Sequence, residues 1–439
     1  MGKRFFVATL GCRTNQADSA AIRQDFLDRE FEETHRWSEA DVIIVNSCTV
    51  THRSDQQVRQ LTRRLRRDNP EARLIVTGCY AQRSPRTLAQ IPGVDAVVGT
   101  SHKGRIVQIA TTEKTLPVRL ADHQQIADIH QEDFGGREPF QVLPASQTGG
   151  KTRPFVKIQE GCDAKCSYCI IPLVRGPSRS APPDQILGQV NELVEEGFRE
   201  IVLTGIHIGT YGMHFQPRYP LDRLIREIVA VPGLERLRLS SIEPMQLSRR
   251  ITELAAECPK IAPHFHICLQ SGSNEVLKRM LRPYSRERFS EIVEEIHERL
   301  PQAAIGTDVI VGFPGETEED HRQTMEFIEK RPFAYLHVFP YSERRGTPAS
   351  RMEGKVSSRT INLRSQHLRK LSEEKNRHFR SQFLGSQLSV LTLTEQRGGM
   401  RTALSENYLK VKLDSSVPAN RIVKGRVERE DEEGYLIIR

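Results

Sequence analysis

Three cysteines stand within eight residues of one another: Cys162, Cys166 and Cys169, in the run GCDAKCSYC. Three thiolates on one loop can hold three irons of a [4Fe–4S] cluster and leave the fourth iron open to another ligand. Zinc is the competing reading, but a closed zinc site takes four ligands and is usually built from Cys-x2-Cys pairs. The Cys-x3-Cys-x2-Cys spacing therefore predicts the cluster. Cys12, Cys48 and Cys79 are far apart in sequence yet alike in context, each closing an apolar run: VATLGC, IIVNSC and IVTGC. The carboxyl ends of parallel strands gather on one edge of a sheet, so these thiols could converge. They could equally be three unrelated small core residues. Cys258 and Cys268 have no evident partners and read as core filler, as do His207 and His266.

The elements that must carry these residues follow from hydrophobic pattern. Strands are predicted at Arg4–Leu10, Asp41–Asn46, Arg73–Thr77 and Ala96–Val98, with helices over Asn15–Arg29 and Arg53–Arg67. Short apolar runs separated by helices suggest a parallel α/β sheet. Six further strands, at Phe155–Gln159, Glu200–Leu203, Arg236–Leu239, His264–Cys268, Ile305–Val311 and Tyr335–Phe339, alternate with helices. They fit a partial (β/α)6 TIM-type barrel, with a doubly wound open sheet as the alternative. Cys162 then leaves the first of these strands, on the edge where barrel enzymes place their sites. Four short strands at Gln387–Thr394, Leu409–Leu413, Arg421–Val427 and Tyr435–Ile438 read as a small β-barrel. It carries no cysteine, which leaves it no evident part in cluster chemistry. The expected organisation is an N-terminal domain 1–125, a linker 126–150, a central domain 151–380 and a terminal barrel 381–439.

Composition narrows the class. The chain of 439 residues is 37% hydrophobic and 27% charged, with a formal net charge of +8. That excess fits a nucleic-acid partner without requiring one. Arg59, Arg63, Arg64, Arg66 and Arg67 crowd one helix, and Arg364, Arg369, Lys370, Lys375, Arg377 and Arg380 another. Both could also be solvated faces. No apolar run approaches the roughly 20 residues that span a bilayer. The start of the chain lacks a signal-peptide pattern. The expectation is a cytoplasmic protein, whose regularly spaced cysteines point to metal rather than disulfides.

At these residues the chain resembles the radical S-adenosylmethionine methylthiotransferases, over essentially its whole length. TLGCRTNQADS, IVNSCTVT and VTGCYAQ look like the family's three-cysteine domain, and QEGCDAKCSYCIIP like its radical motif. The terminal barrel resembles the TRAM module, which binds RNA. LTGIHIGTYG, HICLQSGSNEVLKRM and LHVFPYSERRGTPA look most like the branch that converts N6-threonylcarbamoyladenosine, next to the anticodon of tRNA, to its 2-methylthio form. Sister branches act on N6-isopentenyladenosine and on an aspartate of a ribosomal protein. Arg344 argues against the last, since the tRNA enzymes it resembles have Arg at that point.

The resemblance implies two [4Fe–4S] clusters, one on Cys162, Cys166 and Cys169, the other on Cys12, Cys48 and Cys79. It implies S-adenosylmethionine bound at the open iron of the first and cleaved by one electron to a 5′-deoxyadenosyl radical. The second cluster then carries the methylated sulfur. A protein reductant such as flavodoxin or ferredoxin would supply the electron. The implied contacts to S-adenosylmethionine are Tyr168 and Gly312 near adenine, Thr204 and Gly205 at the amino group, Ser240, Ser241 and Glu243 at the ribose, and Gln270. On the RNA side, Arg344 and Arg345 lie near where the base must enter, with Arg345 the expected partner of the threonylcarbamoyl carboxylate. Tyr408, Lys410, Lys412 and Arg421 form a possible clamp. Two rivals stay open on the residues alone: a metal-stabilised RNA-binding protein, and a radical lyase or mutase acting on a small metabolite.

Overall fold

The computed structural model describes residues 2–112, 126–136, 140 and 152–439. In the first domain β1 (Arg4–Thr9), α1 (Arg13–Leu27), β2 (Glu32–Glu33), β3 (Val42–Ser47), α2 (His52–Asp68), β4 (Arg73–Gly78), α3 (Cys79–Arg83), α4 (Pro85–Ala89), β5 (Ala96–Val98), α5 (Ile106–Thr111) and β6 (Asp128–His130) follow in order. The strands form one parallel sheet in the order β2-β1-β3-β4-β5-β6. Every residue of β3 is buried, which is why its Val-Ile-Ile-Val run shows no alternation: helices cover both faces. The winding reverses between β1 and β3. Such a switch point opens a crevice beyond the strand ends, and Cys12 and Cys48 follow β1 and β3 there. The stretch expected as a linker begins instead with the edge strand β6, paired to β5. At three residues, none of them buried, β6 is too short to show a period. The rest of that stretch, apart from residues 131–136 and 140, lies outside the described residues.

The central domain runs β7 (Phe155–Lys157), β8 (Gln159–Glu160), α6 (Ile171–Arg175), β9 (Arg179–Ser180), α7 (Pro183–Glu195), β10 (Glu200–Thr204), α8 (Leu221–Val229), β11 (Arg236–Leu239), α9 (Arg249–Glu257), β12 (His264–His266), α10 (Asn274–Arg279), α11 (Arg286–Arg299), β13 (Ala304–Val311), α12 (Glu318–Glu329), β14 (Tyr335–Pro340) and α13 (Ser358–Ser381). Two parallel ladders, β11-β10-β7 and β12-β13-β14, are joined by the single bridges Leu237↔Ile261 and Ile242↔Ile267. The strands therefore keep chain order with no reversal. That is a partial barrel, and it removes the doubly wound alternative.

The terminal domain is a closed barrel of β15 (Gln387–Arg397), β16 (Met400–Ser405), β17 (Lys410–Leu413), β18 (Ile422–Glu430) and β19 (Leu436–Ile438), in the order β15-β16-β17-β19-β18. It has one strand more than expected: β16, in a segment with no clear apolar alternation. Its core is shared with the central domain, for Leu388, Val390, Val411 and Leu436 pack in one cluster with Ala304, Ala334 and Phe379. The loop between β16 and β17 drives Tyr408, at φ +70°, against the amino-terminal end of the partial barrel. Its ring stacks on His264 at 4.3 Å and its hydroxyl accepts a hydrogen bond from Arg13 at 3.0 Å. Tyr408 is thus a plug between three domains and not a free RNA contact. Lys412 is engaged as well, by Asp431 and Glu433; Lys410 and Arg421 are exposed.

Candidate active site between two sets of cysteines

The first set forms where the chain leaves β8. Cys162, Cys166 and Cys169 sit on the loop before α6, and two buried groups grip their sulfurs. Arg282 donates from Nη1 to Cys166 Sγ at 3.2 Å and is ion-paired with Glu243. His207 places Nδ1 3.5 Å from Cys162 Sγ and Nε2 3.3 Å from Gln246 Oε1. Its nitrogens are satisfied, as expected of a buried histidine, but one of its partners is a site cysteine.

The second set is built at the switch point. Cys12 caps α1, Cys48 lies four residues before the start of α2, and Cys79 opens α3. Gly11 lets the first two loops meet: at φ +106°, a Cβ there would lie 2.7 Å from that of Cys48. Asn15 Oδ1 stands 4.0 Å from the sulfurs of both Cys12 and Cys79. Arg175, from the central domain, donates Nε to Cys79 Sγ at 3.2 Å and Nη2 to Asn15 Oδ1 at 2.5 Å. Its Nη1 pairs with Asp18 at 2.7 Å and Glu160 at 2.5 Å. Lys103 and Lys157 complete the cluster, bonding the same two acids. Three cations thus face two carboxylates, and the surplus positive charge points at Cys79.

Both sets fit iron–sulfur clusters better than zinc. Each set offers three thiols, the number that holds a [4Fe–4S] cluster with one iron open, whereas a closed zinc site takes four protein ligands. Burial pushes the Cys79 and Cys169 thiols up to about 12 and that of Cys162 up to about 11. A bound cluster must therefore displace protons that burial favours.

A cavity of about 240 Å³ adjoins the first set, lined by Tyr168, Cys169 and Ile170, by Gln270, Asp308 and Phe339, and, from the first domain, by Val50 and Thr51, two and three residues beyond Cys48. Tyr168 meets Phe313 edge-on at 6.5 Å. Gln270 holds φ +69°. The other expected contacts are dispersed. Ser240 is buried with its Oγ unpaired, whereas Ser241 Oγ is 2.8 Å from His266 Nδ1. Thr204 is buried; the carbonyl of Gly205 accepts from Thr14 at 3.2 Å. The Gly312 N–H donates to Glu316 at 2.6 Å. Arg344 is a correction: it is 1% exposed and pairs with Asp55 at 2.6 Å, so it locks the two domains together and does not meet RNA. Arg345 is exposed. Sequence reasoning missed Asn15, Arg175 and Arg282. For Asn15 and Arg175 the one signal was closeness to a cysteine motif, three residues beyond Cys12 and six beyond Cys169; Arg282 had none.

A partial barrel with three thiols past its first strand is the architecture of a radical S-adenosylmethionine enzyme. Residues 4–99 match the model described as "Uncharacterized protein family UPF0004", and residues 156–328 that of the "Radical SAM superfamily". A threonylcarbamoyladenosine tRNA methylthiotransferase of Aquifex aeolicus is 38% identical over 95% of this chain and 98% of its own length. Its Bacillus subtilis namesake is 40% identical over 92% and 88%. A tRNA-2-methylthio-N(6)-dimethylallyladenosine synthase of Clostridium novyi is 33% identical over 89% and 85%. In fold, the chain is similar to the radical S-adenosylmethionine methyltransferase TsrM of Kitasatospora setae, with a TM-score of 0.57 at 16% identity over 80% of this chain and 77% of that one. The chain belongs to the tRNA methylthiotransferases of the radical S-adenosylmethionine class.

Proposed function

We propose that this protein methylthiolates carbon 2 of N6-threonylcarbamoyladenosine beside the anticodon of tRNA. The observation that carries the reading is the cavity beside Cys169, which the first domain helps to close through Val50 and Thr51, just beyond Cys48. The choice of substrate rests on the relatives named for threonylcarbamoyladenosine, at 38% and 40% identity against 33% for the dimethylallyl relative. The reaction must break an unactivated aromatic C–H bond, beyond any side chain acting as acid or base. S-adenosylmethionine at the reduced cluster of Cys162, Cys166 and Cys169 supplies a carbon-centred radical for it.

The chain's own residues bind, orient and shield. Arg282 and Glu243 hold Cys166 in place. Tyr168 offers an aromatic wall to adenine, and the free Ser240 hydroxyl a partner for a ribose. Arg175 and Asn15 hold the second thiol set in place. For tRNA, phosphates are met by cations: the exposed Arg63, Arg64 and Arg67 of α2, the loop residue Arg345, and Lys410 and Arg421 of the terminal barrel. The electron comes from a protein donor of the flavodoxin or ferredoxin kind, in the cytoplasm. Among the described residues no helix is long and apolar enough to cross a membrane.

Mass spectrometry of nucleosides from tRNA of a deletion strain tests this. The 2-methylthio form should vanish and N6-threonylcarbamoyladenosine accumulate. Accumulation of N6-isopentenyladenosine instead would move the protein to the sister branch.

A further inference from the structure

We infer that His337, oriented by Asp308 at the rim of the cavity, is the group that recognises the carboxylate of the threonylcarbamoyl substituent. This rests on the substrate proposed above and names its specificity residue. Asp308 and His337 are directly paired in the β13–β14 ladder, so their side chains leave the same face. His337 Nδ1 lies 3.2 Å from Asp308 Oδ1, and His266 Nε2 lies 3.3 Å from the same oxygen. The three residues form a cluster that the radical chemistry described so far does not use.

The two histidines differ in what remains free. His266 is 6% exposed, and its other nitrogen is held by Ser241 at 2.8 Å. The His337 side chain is 52% exposed, and its Nε2 has no hydrogen-bond partner among the described residues. Burial would raise the Asp308 carboxyl, but bonds from His266 and His337 hold it well below the usual carboxylate range. His337 Nδ1 is thus occupied, by Asp308 and by His266 Nε2 at 3.2 Å, which fixes the ring's orientation. Nε2 is the ring nitrogen left to meet a ligand, and a carboxylate is a partner it can bond.

Phe339 supplies the other half of the subsite. Two residues along β14, it is 43% exposed and lines the cavity, with its ring 6.4 Å from that of His337. Unstacked bases are read on such aromatic faces. An adenine stacked on Phe339 would extend its N6 substituent along the strand toward His337. A threonylcarbamoyl group ends in the carboxylate that His337 can meet; an isopentenyl group ends in methyls that gain nothing there.

The test is the affinity of the cluster-loaded enzyme for three anticodon stem-loop RNAs, bearing N6-threonylcarbamoyladenosine, adenosine or N6-isopentenyladenosine. The wild type should prefer the first. His337→Ala should lower that affinity by about ten- to a hundredfold, the worth of a hydrogen bond to a charged group. Binding of the adenosine RNA should stay the same. Asp308→Asn, which keeps the shape but not the charge, should lower the preference less. Arg345→Ala should leave it intact, and unchanged iron content shows that each variant is folded. An undiminished preference in His337→Ala, or its loss in Arg345→Ala, overturns the inference. So does loss of the wild-type preference on chelation of divalent ions, since the triad would then be a metal site. A wild type with no preference overturns the substrate reading itself, and this inference with it.

Discussion

A buried arginine decides how the second thiol set is held. Arg175 is wholly buried and gives hydrogen bonds to Cys79, Asn15, Asp18 and Glu160 together. Lysine carries the same charge as a single point and cannot reproduce this planar fork. Arg175→Lys is expected to loosen the N-terminal cluster alone, so anaerobically reconstituted protein should fall from about eight irons per chain toward about four. Iron analysis checks this, and cleavage of S-adenosylmethionine should persist. The same network makes the domain interface sensitive to acid. Burial alone would raise the carboxyls of Asp18 and Glu160, but Lys103, Lys157 and Arg175 together hold both below their ordinary range. Depressed carboxyls contribute stability that is fully present above their unfolded pKa, about 4, and is lost as pH falls below it. The melting temperature should therefore drop steeply below about pH 4. In Asp18→Asn that drop should be shallower, because one of the two linked groups is gone.

Elements were legible in the sequence wherever they are regular, and illegible where one domain meets another. Strands such as β3 and β13 are apolar runs bounded by polar residues, so their positions could be read to within one or two residues. β2 and β6 are too short to carry a pattern, and β16 begins Met-Arg-Thr with no period. The interfaces were hidden for a different reason. Arg175, Arg238 and Arg344 are among the largest fully buried side chains, yet arginine is read from sequence as surface. Arg364 and Arg380 likewise turn inward, to Glu316 and Glu430, so α13 is a strut more than an RNA face. Arg344→Ala leaves Asp55 with Arg83 as its one ion-pair partner among the described residues and should cost about 3 kcal/mol, read as a lower denaturant midpoint. The terminal barrel shows the same lesson. With Tyr408 seated on His264 and beneath Arg238, its removal does more than weaken tRNA binding. Deletion from residue 382 onward is expected to lower the melting temperature and the rate of S-adenosylmethionine cleavage together.

At the scale of the whole molecule, two domains line the cavity and the third braces them, so each contributes a different function. The sheet domain brings three thiols to its switch point, the partial barrel brings three more beyond its first strand, and the terminal barrel braces the floor. The net charge of +8 is modest, and much of it lies on exposed cations. Binding of tRNA should weaken as salt rises, because phosphate contacts release counterions. Neutralising Arg63, Arg64 and Arg67 together should flatten that dependence. The central claim is that the two thiol sets do different work on one substrate. The most direct measurement pairs two products from one variant, Cys12, Cys48 and Cys79 all replaced by Ala. Incubated with reductant, S-adenosylmethionine and tRNA bearing N6-threonylcarbamoyladenosine, it should still release 5′-deoxyadenosine and form no methylthio nucleoside. Methylthio product from that variant, without an added sulfur carrier, would contradict the account.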